Sequence, residues 1–206
     1  LIVINATCPF VTNIQKKVKK YSDEGYHIVI LGDEKHPEVV GINGWCNNEA
    51  TITKDGNINI ELPEKVCAVA QTTEKKKNWD NTVEHLKDIK ELVSYNTICS
   101  ATDVRQKSTF ELSKNVDAMI VIGGKNSSNT TKLYQIAKEN CKHTIHIENI
   151  KDLPEDFINN DIKKIGVTAG ASTPDWIIRE VLDIMSIENN VNNEDQLALM
   201  NETDMK

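Results

Sequence analysis

The stretch that most constrains this chain is 118–131, Ala-Met-Ile-Val-Ile-Gly-Gly-Lys-Asn-Ser-Ser-Asn-Thr-Thr. The apolar run from Met119 to Ile122 reads as a buried strand. Gly123 and Gly124 stop it, and Leu133, Ile136 and Ala137 open a helix-like pattern beyond a polar turn. That turn holds Asn126, Ser127, Ser128 and Asn129, which are good N-cap residues and hydrogen-bond donors. A strand, a glycine turn and a donor-rich helix start make an anion site, because the helix end has free N–H groups and partial positive charge. The dipole contributes about 0.3–1 kcal/mol and each hydrogen bond to a charged group about 1.5–3 kcal/mol, so donor count dominates. The plainer reading is a helix capped more than once.

The same strand–turn–helix unit recurs along the chain. Strands are expected at 1–4, 26–31, 66–70, 97–99, 119–122, 143–147 and 164–167. Helices are expected from Pro9 to about 21, shortly after Pro37, from about 74 to 93, over 103–114, after the 126–129 turn, briefly after Pro154, and from Pro174 to about 185. Residues 51–61 are turn-rich around Asp55-Gly56 and read as a local pairing. Alternating strands and helices imply parallel sheets, with ligands beyond the carboxyl ends of the strands. Cys8 to His36 spans 28 positions, and so does Cys99 to Ser127, a weak internal repeat. The expected organisation is α/β, with one module over 1–96, a similar one over 97–185, and an acidic polar tail or linker over 186–206. Because residues 1–4 already read as strand, an N-terminal part is expected to be missing.

Composition narrows the function classes. The 206 residues carry a net charge of −7. The lysines at 16–20 and 75–77 look like solvated helix faces, so no nucleic-acid track is expected through 1–185. No apolar run is long enough to span a bilayer, and no secretion signal is expected. Five cysteines without a disulfide-like pattern suggest a reducing cytoplasm.

Cys8 and Cys99 each follow a strand and precede a helix, where a thiolate is favoured. Their separation of 91 residues excludes a local zinc knuckle. They are either metal, iron–sulfur or redox ligands, or two small buried hydrophobes. Cys67 reads as core and Cys141 as surface, while Cys46 stays open. His36-Pro37-Glu38 puts an imidazole and a carboxylate at a proline-fixed turn, either as a buried proton donor or as a helix cap. Thr72 and Thr73 are N-caps or a hydroxyl relay beside Glu38. Ser172, ahead of Thr173-Pro174-Asp175, is a helix start and a second donor cluster. His27, His85, His143 and His146 read as surface or strand residues.

Six motifs occur here in one order: Asn-Ala-Thr-Cys-Pro-Phe-Val, His-Pro-Glu-Val-Val-Gly-Ile-Asn-Gly-Trp-Cys, Ala-Gln-Thr-Thr, Ile-Cys-Ser-Ala-Thr-Asp-Val-Arg-Gln, Val-Ile-Gly-Gly-Lys-Asn-Ser-Ser-Asn-Thr and Gly-Val-Thr-Ala-Gly-Ala-Ser-Thr-Pro-Asp-Trp. Together, over about 2–185, they resemble the hydroxymethylbutenyl diphosphate reductase family. The resemblance implies a pseudo-threefold arrangement of three α/β modules around a 4Fe-4S cluster held by three cysteines. Cys8 and Cys99 would be two of those ligands, and the third is expected in the missing N-terminal part. It further implies that His36 contacts a diphosphate and that Ser127, Ser128, Asn129 and Ser172 hold its oxygens. Glu38 would deliver protons, with Thr72 placing the substrate hydroxyl and its relay. The activity implied is reductive dehydroxylation of an allylic alcohol diphosphate to isopentenyl and dimethylallyl diphosphates. The implied electron donor is ferredoxin or flavodoxin, and some members continue into RNA-binding S1 repeats after an acidic linker. Other readings are a non-redox module binding a phosphorylated small molecule, an inactive fragment of the reductase, and a regulatory fragment whose acidic tail recruits a partner.

Overall fold

In the computed structural model, residues 4–158 and 161–189 are described, and the chain divides into two compact units after Ser108. Of the strand expected over 1–4, residues 1–3 lie outside the described residues, and Ile4 is exposed and not in a strand.

The first unit begins with α1 (Pro9–Asp23), β1 (His27–Leu31), α2 (Pro37–Asn43) and β2 (Thr51–Thr53). It continues with β3 (Lys65–Ala70), α3 (Lys76–His85), β4 (Glu91–Tyr95) and the first part of α4 (Ser100–Ser113). Its four strands are all parallel, in the order β2-β1-β3-β4. Period-two alternation sends the side chains to two cores. Ile28, Ile30, Cys67 and Val69 pack on Ile14 and Val18 of α1 and Val39 and Ile42 of α2. Val29, Leu31, Val66, Ala68 and Ala70 pack on Trp79 of α3 and on Leu86. Each large aliphatic buried this way contributes about 1.5–3 kcal/mol.

The second unit holds β5 (Ala118–Ile122), α5 (Ser128–Asn140), β6 (Thr144–Ile147), β7 (Ile165–Ala169) and α6 (Asp175–Asn189). Its parallel sheet runs β6-β5-β7. Ala118, Ile120 and Ile122 meet Ile178 and Val181 of α6, while Met119 and Val121 meet Leu133 and Ala137 of α5. The sequence-based class, small parallel sheets flanked by helices, is the class observed.

Six local expectations need correction, the first being the strand expected at 97–99: the strand lies earlier, at Glu91–Tyr95, and residues 96–99 are a turn into α4. The helix expected to reach 93 ends at His85, and β4 follows. Residues 51–61 form no local pair: Thr51–Thr53 is an edge strand in parallel register with Val29–Leu31, and Gly56 (φ +91°) turns the chain beyond it. The described residues directly after Pro154, 155–158, are turn and bend rather than helix, and a 3-10 turn at Ile150–Asp152 precedes them. Cys141 is buried, its thiol beside the carbonyls of Asp117 and His143 at 3.5 and 3.6 Å, because it closes α5 over the start of β5. α6 continues to Asn189, so 186–189 are helical, and the remainder of the expected tail, 190–206, lies outside the described residues.

The five thiols differ in accessibility, with Cys8 exposed and Cys46, Cys67 and Cys141 buried. Burial pushes the Cys67 thiol up to about 12. Iodoacetamide at neutral pH is expected to modify Cys8 rapidly and Cys67 only at the rate of unfolding. Peptide mass spectrometry checks this, and comparable native-state rates for the two thiols would contradict the burial.

Candidate active site

Parallel register explains why distant residues meet in the first unit. Leu31 pairs with Ala70, so the turns after β1 and β3 leave the sheet side by side. His36 caps α2, with Pro37 at the first helical position and the ring Nδ1 accepting the Glu38 N–H at 3.2 Å. With Nδ1 an acceptor, the neutral ring carries its proton on Nε2, which is left as a donor. The half-buried Glu38 carboxylate reaches Thr72: Oε1 accepts the Thr72 N–H at 2.7 Å and Oε2 accepts the Thr72 hydroxyl at 2.8 Å. Gln71, fully buried, accepts the Asp33 N–H at 3.1 Å and donates to the Thr73 hydroxyl at 3.0 Å, tying the two turns together.

The turn after β4 joins them. Thr97 Oγ1 accepts the Ala70 N–H at 2.8 Å and donates to the Ala70 carbonyl. The Cys99 N–H donates to the Thr72 carbonyl at 2.9 Å. Gln106 of α4 donates to the carbonyls of Thr73 and Glu74 at 3.3 and 3.2 Å. Three consecutive strand-end turns thus place His36, Glu38, Thr72 and Cys99 in one neighbourhood. Cys8 sits at the N-cap of α1 with no side-chain cap bond. It is joined to the other residues by no hydrogen bond among the described residues.

The second unit carries a different group. Ser127 caps α5 by accepting the Thr130 N–H at 3.3 Å. Asn129 lies in the first helical turn, 8% exposed, and both its Oδ1 and Nδ2 are buried without a hydrogen-bond partner. The Thr130 hydroxyl is likewise buried and unpartnered. An unpaired buried polar group costs about 1–3 kcal/mol, which sets Asn129 and Thr130 apart from the other described buried polar side chains. Ser128 is half-buried in the same turn, and Ser172 is exposed in the turn after β7. Thr173 ties that turn to the end of β5, its hydroxyl donating to the Ile122 carbonyl at 3.1 Å. Gly123 and Gly170 let the two turns close on Thr130: a Cβ on Gly170 would lie 2.1 Å from Thr130 Oγ1.

Gln106 and Thr97 are positioned in the site without having been assigned a role from sequence. A polar residue on a helix reads as solvated until the packing shows otherwise. Metal chemistry can be tested on the donors present. Among the described residues no three of His, Cys, Asp and Glu converge to hold a metal ion. The ligands among the described residues therefore do not by themselves complete a metal site.

Comparison with known proteins bears on the whole assembly. The LytB protein family matches residues 1–186. A 4-hydroxy-3-methylbut-2-enyl diphosphate reductase of Clostridium perfringens (strain SM101) is 62% identical over 185 residues, covering 88% of this chain and 65% of that protein. The enzyme of that name from Clostridium tetani is 56% identical over 207 residues, covering 100% of this chain and 32% of its own length. Among solved structures, the E-1-hydroxy-2-methyl-but-2-enyl-4-diphosphate reductase of Plasmodium falciparum superposes with a TM-score of 0.81 at 28% identity, over 89% of this chain and 59% of that one. An (E)-4-hydroxy-3-methyl-but-2-enyl diphosphate reductase structure gives 0.55 at 39% identity, over 89% and 67%. The chain thus spans between about a third and two thirds of these relatives' lengths. Given a match that runs through both units and nearly every described residue, the chain belongs to the LytB protein family.

Proposed function

We propose that this chain supplies two modules of a reductase that converts (E)-4-hydroxy-3-methylbut-2-enyl diphosphate to isopentenyl and dimethylallyl diphosphates, the isoprenoid precursors. The reductase would act as the terminal enzyme of the non-mevalonate pathway, which is how one solved relative is described. The observation that carries the reading is the Glu38–Thr72 pair, a carboxylate whose two oxygens take both donors of one threonine. The reaction consumes two electrons and two protons and releases one water, so the leaving hydroxyl must be protonated as its carbon–oxygen bond breaks. With Glu38 ionised, the Thr72 hydroxyl donates inward to Oε2. When Glu38 holds a proton, that hydrogen bond reverses, and the Thr72 O–H is released to donate outward to the leaving oxygen. The second proton goes to the allylic carbon.

His36 Nε2 and the α5 turn take the diphosphate. Ser127, Ser128, Asn129 and Ser172 are assigned to its oxygens, and the unpartnered Asn129 amide supports that assignment. A 4Fe-4S cluster in the whole enzyme would supply the electrons. Cys8 and Cys99 are offered as two of its ligands, the third coming from an N-terminal module, and no step through the cluster is assigned to this chain. A ferredoxin or flavodoxin is proposed as the electron donor. Downstream S1 repeats and a cytoplasmic setting remain part of the proposal. No helix among the described residues is long and apolar enough to cross a membrane.

Anaerobic reconstitution of the full-length protein, followed by iron, sulfide and product analysis, tests the reading. Iron-dependent product formation lost in Cys99→Ser supports it. A protein that binds pyrophosphate with no iron dependence would instead be a phosphate-binding module. In this chain Asn129→Ala is expected to weaken inorganic pyrophosphate binding about tenfold or more, the worth of one charge-assisted hydrogen bond, by calorimetry. The melting temperature should hold or rise, since an unpaired buried amide is removed. A fall in stability with unchanged affinity would make Asn129 structural.

A further inference from the structure

α4 is packed inside out. Thr102, Gln106, Thr109 and Ser113, spaced as one helical stripe, are all buried, whereas Val104 and Phe110 are exposed. A helix that turns a polar stripe inward must satisfy it, and the partners of that stripe show what the helix holds. Gln106 uses its side-chain nitrogen, which bears two hydrogens, on the carbonyls of Thr73 and Glu74. The carbonyl just before them, that of Thr72, takes the Cys99 N–H at the entry to the same helix. Three successive carbonyls of the 72–74 turn are therefore held by donors from 99–106. On its other side the turn is held by Glu38, through the amide and hydroxyl of Thr72.

We infer that Gln106 is a positioning residue, which fixes the Thr72 hydroxyl between the Glu38 carboxylate and the helix that begins beside Cys99. The inference rests on the relay proposed above, and its chemistry is specific. With Gln106 replaced by an apolar side chain, the 73 and 74 carbonyls lose the Gln106 donor. The turn, still tied by Cys99 and Glu38 at Thr72 and by Gln71 at Thr73, loosens on its 73–74 side and lets the Thr72 hydroxyl shift against Glu38. Such displacements of a proton-relay group by a fraction of an ångström to one ångström lower turnover by about tenfold to a hundredfold. Anion affinity should be untouched, because no diphosphate-holding residue is bonded to Gln106.

The test uses Gln106→Met, which keeps length and removes the donor. In the 206-residue chain, NMR hydrogen exchange at the Thr72 and Cys99 amides is expected to speed up about tenfold, with the amides at the centre of β1 unchanged. In the full-length reductase kcat should fall about tenfold or more, with KM within about twofold. Unchanged exchange at Thr72, or a rise in KM matching the fall in kcat, overturns the inference. If the variant does not fold, the wild-type chain decides. Slow exchange of the Gln106 side-chain amide hydrogens supports the inference, and exchange at the free-amide rate overturns it. Glu38→Gln separates the two levels. If that substitution leaves turnover intact, the relay reading fails on its own, while the exchange measurements still judge Gln106.

Discussion

Glu38→Gln in the full-length reductase is expected to lower kcat by about 10²–10⁴-fold, the usual contribution of a positioned acid. Affinity for inorganic pyrophosphate should stay within about twofold. The geometry accounts for the split. Thr72 presents two donors, an N–H at 2.7 Å and an O–H at 2.8 Å, to two carboxylate oxygens. A glutamine offers one acceptor and one donor, so it can keep the amide bond only by pointing its nitrogen at the Thr72 oxygen. The hydroxyl then accepts from Gln and faces outward permanently. Substrate can still be held, but nothing behind the hydroxyl resupplies a proton. Steady-state kinetics with pre-reduced enzyme, alongside calorimetry with pyrophosphate, measures both halves. Turnover equal to wild type would remove Glu38 from the proton path.

The second large effect is expected from Gly123→Ala, at the head of the turn that leads into α5. Gly123 has φ +140°, a region that L side chains avoid. A Cβ there would stand 2.7 Å from Thr173 Oγ1 and 3.0 Å from Thr130 Oγ1. Backbone strain of about 1–3 kcal/mol and overpacking of similar size add to a loss of roughly 2–5 kcal/mol in the second unit. For a unit of this size that lowers Tm by about 10 °C or more. The Thr173–Ile122 tie should break with it, and pyrophosphate affinity should fall. Gly44→Ala is the control: Gly44 has φ −59° and open space around its Cβ position, so its Tm should hold or rise slightly. Thermal unfolding of the three chains with and without pyrophosphate compares them, and equal Tm values for both variants would exclude the crowded turn.

Much of this architecture is visible in the bare sequence, for reasons that also explain the misses. Short apolar runs such as Ile28–Leu31 and Met119–Ile122 carry their burial on both faces, so they stand out without knowledge of their neighbours. β4 does not. Val83, Leu86, Ile89 and Leu92 recur every three residues and imitate one helix face. In the fold they belong to the end of α3, a turn and an edge strand that all face one core. Spacing along the chain reports which core a residue reaches, not which element carries it there. Glu38 and Thr72 could each be singled out as polar residues at helix starts. Their direct bond depends on the pairing of Leu31 with Ala70, which is a property of the sheet. Gln106 and Thr97 are harder still, since a polar side chain in mid-helix or in a turn carries no mark of the carbonyl it serves.

The stitching of three strand-end turns also sets an order of assembly. β1 and β3 can pair once residue 70 has left the ribosome, and Glu38 and Gln71 can then hold one side of the 71–74 turn, yet the donors to the 72–74 carbonyls and the Thr97 tie to Ala70 come later. During synthesis the β1–β3 pairing therefore precedes the completed turn. A nascent chain released before α4 has emerged from the ribosome would be half-built, with Thr72 bonded to Glu38 but without the Cys99 and Gln106 donors to the 72–74 carbonyls.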